Sequence, residues 1–322
     1  MSDQPGPLVD FGGLDYLTFA SDSRIYCSFV LAGLTILLYD HLLTLGAEVK
    51  YIWASRLRPS TCWFLLVRYV GLGANITISV FYFATLEHEV CVKMQLAWEF
   101  LLVIQEVLIE CSLGLRVFAM YGLNLWILVC LLPAGGLAAA LALWAIVKYG
   151  RPQMLSAPGI AGCHTAIPRT ESVPFPIGLR LLTALQSSAL RLAGAWEAQL
   201  VCDTLVVVLT VRAAYIQRRS SPRYRGTLME RMATDGGMYF GIILLVNLAN
   251  LLTFYVGDIL LSGFLSWFTT TLSVTLLSRL MLNLHEAARV GMGDTTEAGA
   301  EGVEMEDESL RFPTRTAPTM DG

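Results

Sequence analysis

Residues 124–148 read NLWILVCLLPAGGLAAALALWAIVK, and the single charge in that stretch, Lys148, stands at its far end. About 20 apolar residues rising 1.5 Å each cross the roughly 30 Å of hydrocarbon in a bilayer. A helix of a water-soluble core keeps a polar face, and this stretch has none. Its reading as a membrane span decides the fold. Working outward, six further apolar stretches follow at about 24–45, 61–85, 95–117, 195–216, 236–257 and 260–283. Across the 322 residues, 55% are apolar and 15% charged, whereas soluble domains run nearer about 45–50% and about 25%. In lipid no water satisfies an open N–H or C=O, and the stretches lack the alternation of barrel strands, so their backbones are expected to be helical.

The expected fold class is therefore all-α, an integral membrane bundle of seven transmembrane helices. Lys50, Arg56 and Arg58 follow the first span, Arg116 ends the third, and Arg212, Arg218, Arg219, Arg223, Arg225 and Arg231 follow the fifth. Basic residues collect on the cytoplasmic side. The other side offers Arg24 and Lys93 near the spans, with five more basic residues spread over the long loop after the fourth. This bias places the N-terminus outside and the C-terminus in the cytoplasm, as an odd number of spans requires. Residues 1–23 then form an outer segment, 24–284 the membrane domain and 285–322 a cytoplasmic tail. The outer segment holds Asp3, Asp10, Asp15 and Asp22 and no basic n-region. It does not resemble a cleaved signal peptide, and the first span is expected to act as insertion signal. The net charge of -4 is a property of the tail: residues 293–322 hold eight acids against two arginines, which leaves +2 on the rest. With Glu304, Glu306, Asp307 and Glu308, the tail reads as disordered and solvated. Within the loop between the fourth and fifth spans, Ile177–Leu192 reads as either an interfacial helix or plain loop.

Most of the seven cysteines fall within or at the ends of spans and read as small packing residues. Cys91 and Cys163 lie on the outer side by this topology and can pair there as a disulfide. His88 and His164 near them offer a zinc site as the rival reading, at a spacing that matches no ordinary finger. No metal and no cofactor are expected.

The third span carries Gln95, Glu99, Glu106 and Glu110 on one helical face. Carboxylates within hydrocarbon are costly unless paired, protonated or wetted, so this face should look into the bundle. Arg68 in the second span is the expected partner, with Asp203 and Glu197 in the fifth span and Asn247 and Asn250 in the sixth completing a polar interior. The face reads either as a ligand cavity, ion path or proton relay, or as interhelical hydrogen bonding that fixes packing. Arg116, Arg212 and Arg279, near the inner ends of their spans, can snorkel to headgroups.

Catalysis finds no recognisable constellation. There is no GxSxG elbow and no paired-histidine helix signature. All four histidines lie at or beyond span ends, against haem, and the only lysines are Lys50, Lys93 and Lys148, against a Schiff base in the seventh span. The chain has no basic field for nucleic acid. Asn75-Ile76-Thr77 matches the glycosylation pattern but falls inside the second span, so no glycan is expected there.

Tyr39-Asp40-His41-Leu42-Leu43-Thr44-Leu45, Glu48-Val49-Lys50-Tyr51-Ile52-Trp53 and Arg68-Tyr69 together resemble the N-terminal signature of a large fungal, chiefly basidiomycete, family of multi-pass membrane proteins that bears a domain of unknown function. Three more strings resemble that family: Leu115-Arg116-Val117-Phe118-Ala119-Met120-Tyr121-Gly122, Asp235-Gly236-Gly237-Met238-Tyr239-Phe240, and Ser278-Arg279-Leu280-Met281-Leu282-Asn283-Leu284. The resemblance implies seven membrane helices and no established activity. Ile52 and Trp53 read as an interfacial anchor beside Lys50 and Arg56.

Two functions are in view. The first is a receptor-like or sensor-like protein whose partners are the lipid bilayer and a cytoplasmic signalling protein at the loop between the fifth and sixth spans. The second is a proton, ion or small-solute channel or transporter using the acidic face of the third span, although no half-to-half repeat or broken-helix pair is visible. Tags on the two termini, tested with protease on sealed vesicles, are expected to differ in accessibility. Cleavage of both from one side would overturn the odd span count.

Overall fold

The computed structural model describes residues 15–54, 58–84, 86–149, 153–155, 162–166, 188–220, 228–257 and 260–309. Among them are seven α-helices: α1 (Tyr16–Glu48), α2 (Pro59–Phe83), α3 (His88–Met120), α4 (Leu125–Tyr149), α5 (Ser188–Ser220), α6 (Leu228–Val256) and α7 (Ser266–Ser309). A π-helical turn, Val49–Trp53, extends α1. In the long loop after α4, strands β1 (Gln153–Leu155) and β2 (His164–Ala166) pair antiparallel, with Met154 opposite Thr165. A disulfide joins Cys163, just before β2, to Cys91 on the first turn of α3, with Cα atoms 5.7 Å apart. Ile177–Leu192 lies largely outside the described residues.

Several bounds differ from those expected. α1 starts at Tyr16, inside the segment assigned to the outer N-terminus, and α3 starts at His88. The extra turns lie beyond the apolar stretches, where hydropathy carries no signal and backbone hydrogen bonding alone continues the helix. α7 opens only at Ser266, because a turn holding Gly263 at φ 73° precedes it. Where an unstructured tail is expected from 285, the helix of α7 runs on to Ser309.

Five helical segments are long and apolar enough to cross a membrane: Tyr16–Trp53, Pro59–Phe83, Leu125–Lys148, Leu192–Ile216 and Gly236–Val256. The two remaining helices, α3 and α7, carry more polar residues; α7 is the central one, whereas α3 keeps an exposed apolar face with Phe100, Ile104, Val107 and Leu115. α7 packs on α1, α2, α3 and α6, and α3 packs on α2, α4, α5 and α7. From Ser266 to Leu282 no residue of α7 is exposed. A helix with no face toward lipid has no need of an apolar surface, which explains Thr269, Thr270, Thr271, Ser273, Thr275 and Ser278, all buried. Several hydroxyls donate back to carbonyls of the preceding turn, Thr271 to Trp267 at 2.8 Å and Thr275 to Thr271 at 2.8 Å. The opposite extreme is α4, whose Trp126, Val129, Leu132 and Val147 stand open on the outer surface.

The disulfide and the π turn mark the two ends of the bundle. The π-turn end also holds the last turns of α1 and α3. The main apolar core lies between them, with Leu37, Val67, Ile109, Leu113, Val206, Phe240 and Leu277 drawn from six helices. Asn75 is fully buried in this interior, donating to the Gly71 carbonyl and accepting from Thr271 at 2.5 Å, so the sequon is closed to any enzyme.

Gly71 lets α2 approach the central helix. A Cβ there would come within 2.6 Å of Val274 Cγ1 on α7. Val274 is β-branched and itself buried, with little freedom to yield. Gly71→Ala is expected to lower stability by about 1–3 kcal/mol, read as a fall in the melting midpoint of the detergent-solubilised protein. An unchanged midpoint would show that the α2–α7 approach is looser than described.

Candidate functional site

Two polar constellations lie inside the bundle, one at the π-turn end and one facing a cavity. The first grows from the junction of α1 and α2. Glu48, with no exposed surface, takes an ion pair from Arg68 Nε at 2.9 Å. Its Oε1 accepts from Trp53 Nε1 and from the Tyr69 hydroxyl, each at 3.0 Å. The π turn carries the Trp53 side chain back over Glu48, five residues earlier in the chain. Arg68 also donates to Thr44 Oγ1 at 2.7 Å and to the His41 carbonyl at 3.1 Å, and lies over the Phe64 ring. Next to it, buried Asp40 accepts from Arg279 of α7, and Tyr51 donates to Glu286 at 2.9 Å. Removing one member of a buried ion pair leaves an uncompensated charge, whereas removing both together costs far less.

The other family-like strings meet at the same end. The guanidinium of Arg116 sits over the Phe240 ring, 5.6 Å from its centroid, and closes on Gly236, where a Cβ would stand 3.1 Å from Nη2. The Tyr121 hydroxyl donates to the Leu209 carbonyl of α5 at 3.0 Å. Arg116 is thus held inside the protein, and Arg279 is spent on Asp40, so the snorkelling expected of these two gives way to pairing. Tyr39 and Asn283 are exposed, and the side chain of Asp235 lies outside the described residues.

The second constellation faces a cavity of about 520 Å³ between α3, α4 and α5, capped by the start of α7. Gln95, Glu99, Glu106 and Glu110 line one wall. Facing them, α4 contributes Gly135, Gly136, Ala138, Ala139 and Ala142, whose small side chains leave the room. Gln95 is hydrogen-bonded to Glu99. Glu106 accepts from the Thr270 hydroxyl of α7. Gln199 of α5 donates to Glu110 at 2.6 Å and reaches toward Glu106 at 3.5 Å. The Cys202 thiol donates to Glu110 at 3.0 Å. Behind this wall Asp203, 2% exposed, accepts from Asn247 of α6 at 2.6 Å. The carboxyls of Asp203 and Glu110 stand next to each other, one behind the wall and one on it.

The structure therefore assembles Glu99, Glu106 and Glu110 on the cavity, sets Asp203 one layer behind, and places Arg68 elsewhere. The interior partner expected for the glutamates is committed to Glu48, because the face of α2 that bears Arg68 turns toward α1. Glu197 points outward and accepts from Tyr255. Gln199, Cys202 and Thr270 do what Arg68 was expected to do. In sequence they read as an amide, a packing thiol and a hydroxyl among apolar neighbours, and only their depth opposite Glu106 and Glu110 gives them the role.

Among the described residues no group of three or more His, Cys, Asp or Glu is placed to hold a metal ion. Cys91 and Cys163 are taken up by the disulfide, and the side chains of His88 and His164 lie outside the described residues.

A model of a family of unknown function, DUF6533, matches residues 28–73. The match takes in Tyr39, Asp40, Glu48, Trp53 and Arg68, and so covers the α1 and α2 parts of the first constellation. Arg116, Tyr121, Asp235, Arg279 and Asn283 lie outside it. No curated protein matches the chain.

The chain is a membrane-spanning helical protein with a domain of unknown function. Arg68→Met or Glu48→Gln alone is expected to destabilise it by about 3–5 kcal/mol, and the double substitution by distinctly less. A thermal-unfolding cycle in detergent checks this. Additive losses would mean that the two side chains do not depend on each other.

Proposed function

We propose that this protein is a receptor-like or sensor-like seven-helix membrane protein that holds a small ligand in its intramembrane cavity. The observation that carries the reading is a space of about 520 Å³ with apolar walls and one row of convergent carboxyl and amide groups. Sites for small molecules are concave, mostly apolar and oriented by a few polar groups. Such a row packed only for stability would be expected to close on itself, whereas Glu99, Glu106 and Glu110 all border open space.

A path for the signal supports the sensor reading. Glu106 is hydrogen-bonded to Thr270 on the central helix, and that helix carries Arg279, bonded to Asp40, at the π-turn end. An occupant that competes for Glu106 acts on α7 directly, and α7 is packed on four other helices. With the N-terminus outside, the basic loop between α5 and α6 would meet a cytoplasmic partner.

The first test is occupancy. In phosphatidylcholine nanodiscs, the neutral apolar fluorophore N-phenyl-1-naphthylamine is expected to show saturable binding above that of empty discs. Ala139→Trp, which fills the space from α4, should remove it. Binding equal to that of empty discs, or untouched by Ala139→Trp, would overturn the reading.

A further inference from the structure

The cavity reading leaves open what chemistry fits it, and the wall itself narrows the choice. Among the described residues that line the space, three are carboxylic acids and none is Lys, Arg or His. Negative charge facing an apolar cavity is costly without a counter-charge. The protein supplies only neutral groups here: the Thr270 hydroxyl to Glu106, the Gln199 amide and Cys202 thiol to Glu110, and the Gln95 amide beside Glu99. Of the buried cations, Arg68 is locked on Glu48 at 2.9 Å and Arg116 sits over the Phe240 ring, and neither lines the cavity. With no cation of the protein on this wall, an occupant that brings a positive charge would allow these carboxyls to ionise as its counter-ions.

Aromatic rings surround the Glu99 end. Tyr26, Tyr82, Trp98 and Trp196 all line the cavity. The Tyr26 and Tyr82 rings are 4.9 Å apart, and the Tyr82 and Trp98 rings 6.0 Å apart and nearly perpendicular. Ring faces beside carboxyl groups suit an ammonium group, which gains from the ring quadrupole as well as from the charge. The opposite wall has no polar group to satisfy: Gly135, Gly136, Ala139 and Ala142 of α4 accept only an apolar body. Leu115 and Leu132 line the cavity and also stand 52% and 63% exposed on the outer face of the bundle, so the space reaches the surface where α3 meets α4, on the side turned to lipid.

Resting on the cavity reading, we propose that the ligand is a lipophilic amine: a single cationic nitrogen held among Glu99, Glu106 and the aromatic rings, on an apolar body that lies along α4 and enters from the bilayer. The fit is one of class, and it excludes acids and gives alcohols of the same shape no counter-ion role.

Competition against bound N-phenyl-1-naphthylamine in nanodiscs tests this, using 4-phenylbutylamine, 4-phenylbutanol and 4-phenylbutyrate, which share a body and differ in the head. The amine is expected to displace the fluorophore at about tenfold lower concentration than the alcohol, a preference of the size that one charge-assisted hydrogen bond gives, and the acid not to compete. In the Glu99→Gln/Glu106→Gln protein the amine-to-alcohol ratio should fall toward one. A ratio near one in the unaltered protein, competition by the acid at or below the amine's concentration, or a ratio indifferent to the double substitution would overturn the amine assignment and leave the cavity standing. Absence of fluorophore binding would remove the cavity itself, and the amine with it.

Discussion

A charged or hydroxyl-bearing side chain within hydrocarbon finds no water to bond, so its partner has to come from another part of the protein. The organisation of this chain depends on that constraint. The polar helix α7 occupies the interior, where partners exist, and α3 turns its carboxyl-bearing face inward while its apolar face, with Phe100, Ile104 and Leu115, stays on the surface. α7 satisfies its threonines from its own backbone and from Asn75 and Glu106 of neighbouring helices. α3 turns its carboxyls toward α5 and α7. Each polar pairing also fixes the rotation of two helices, so the packing of the bundle and the chemistry of its interior are set together.

The two interior constellations answer the constraint differently. At the π-turn end, Glu48 and Arg68 neutralise each other, and the side chains of Trp53, Tyr69 and Thr44 hydrogen-bond to that pair. The arrangement is closed and reads as a fastening of α1 to α2, with Asp40 and Arg279 fastening α1 to α7. This closed arrangement explains why the segment matched by the family model is so rich in polar residues for a membrane span: residues 28–73 hold Asp40, Glu48 and Arg68 together. Around the cavity the balance is left open. Glu99, Glu106 and Glu110 have donors but no cation, and the facing helix withdraws to small side chains. An incomplete polar network beside empty space is where a ligand gains most, since it completes bonds that the protein has already oriented.

Cys91 and Cys163 contribute at the other end. The disulfide ties the start of α3, the helix that bears the carboxyl row, to the hairpin of β1 and β2. The long α4–α5 connection is thereby fixed at one point near the mouth of the bundle.

Much of the architecture was legible from hydropathy alone. Lipid makes about 20 apolar residues in a row a sufficient signal for a helix, and α4 needs nothing more. The inward face of α3 was legible too, because Glu99, Glu106 and Glu110 recur at helical spacing and carboxyls avoid lipid. Helix limits at Tyr16, His88 and Ser309 were not, since outside the hydrocarbon no such penalty marks where a helix stops. Nor was the partner of Arg68: Glu48 and the α3 carboxyls are equally acceptable counter-ions by charge, and the choice between them rests on how α2 is rotated about its axis. That rotation is set by close packing, such as Gly71 against Val274, summed over many residues distant in sequence. The cavity likewise exists only in the tertiary structure, because small residues on α4 make a void only when a carboxyl-bearing face is brought opposite them. Sequence determined which segments are apolar enough to cross a membrane and which residues have to hide from lipid; packing alone decided which of the hidden groups meet each other and which are left facing open space.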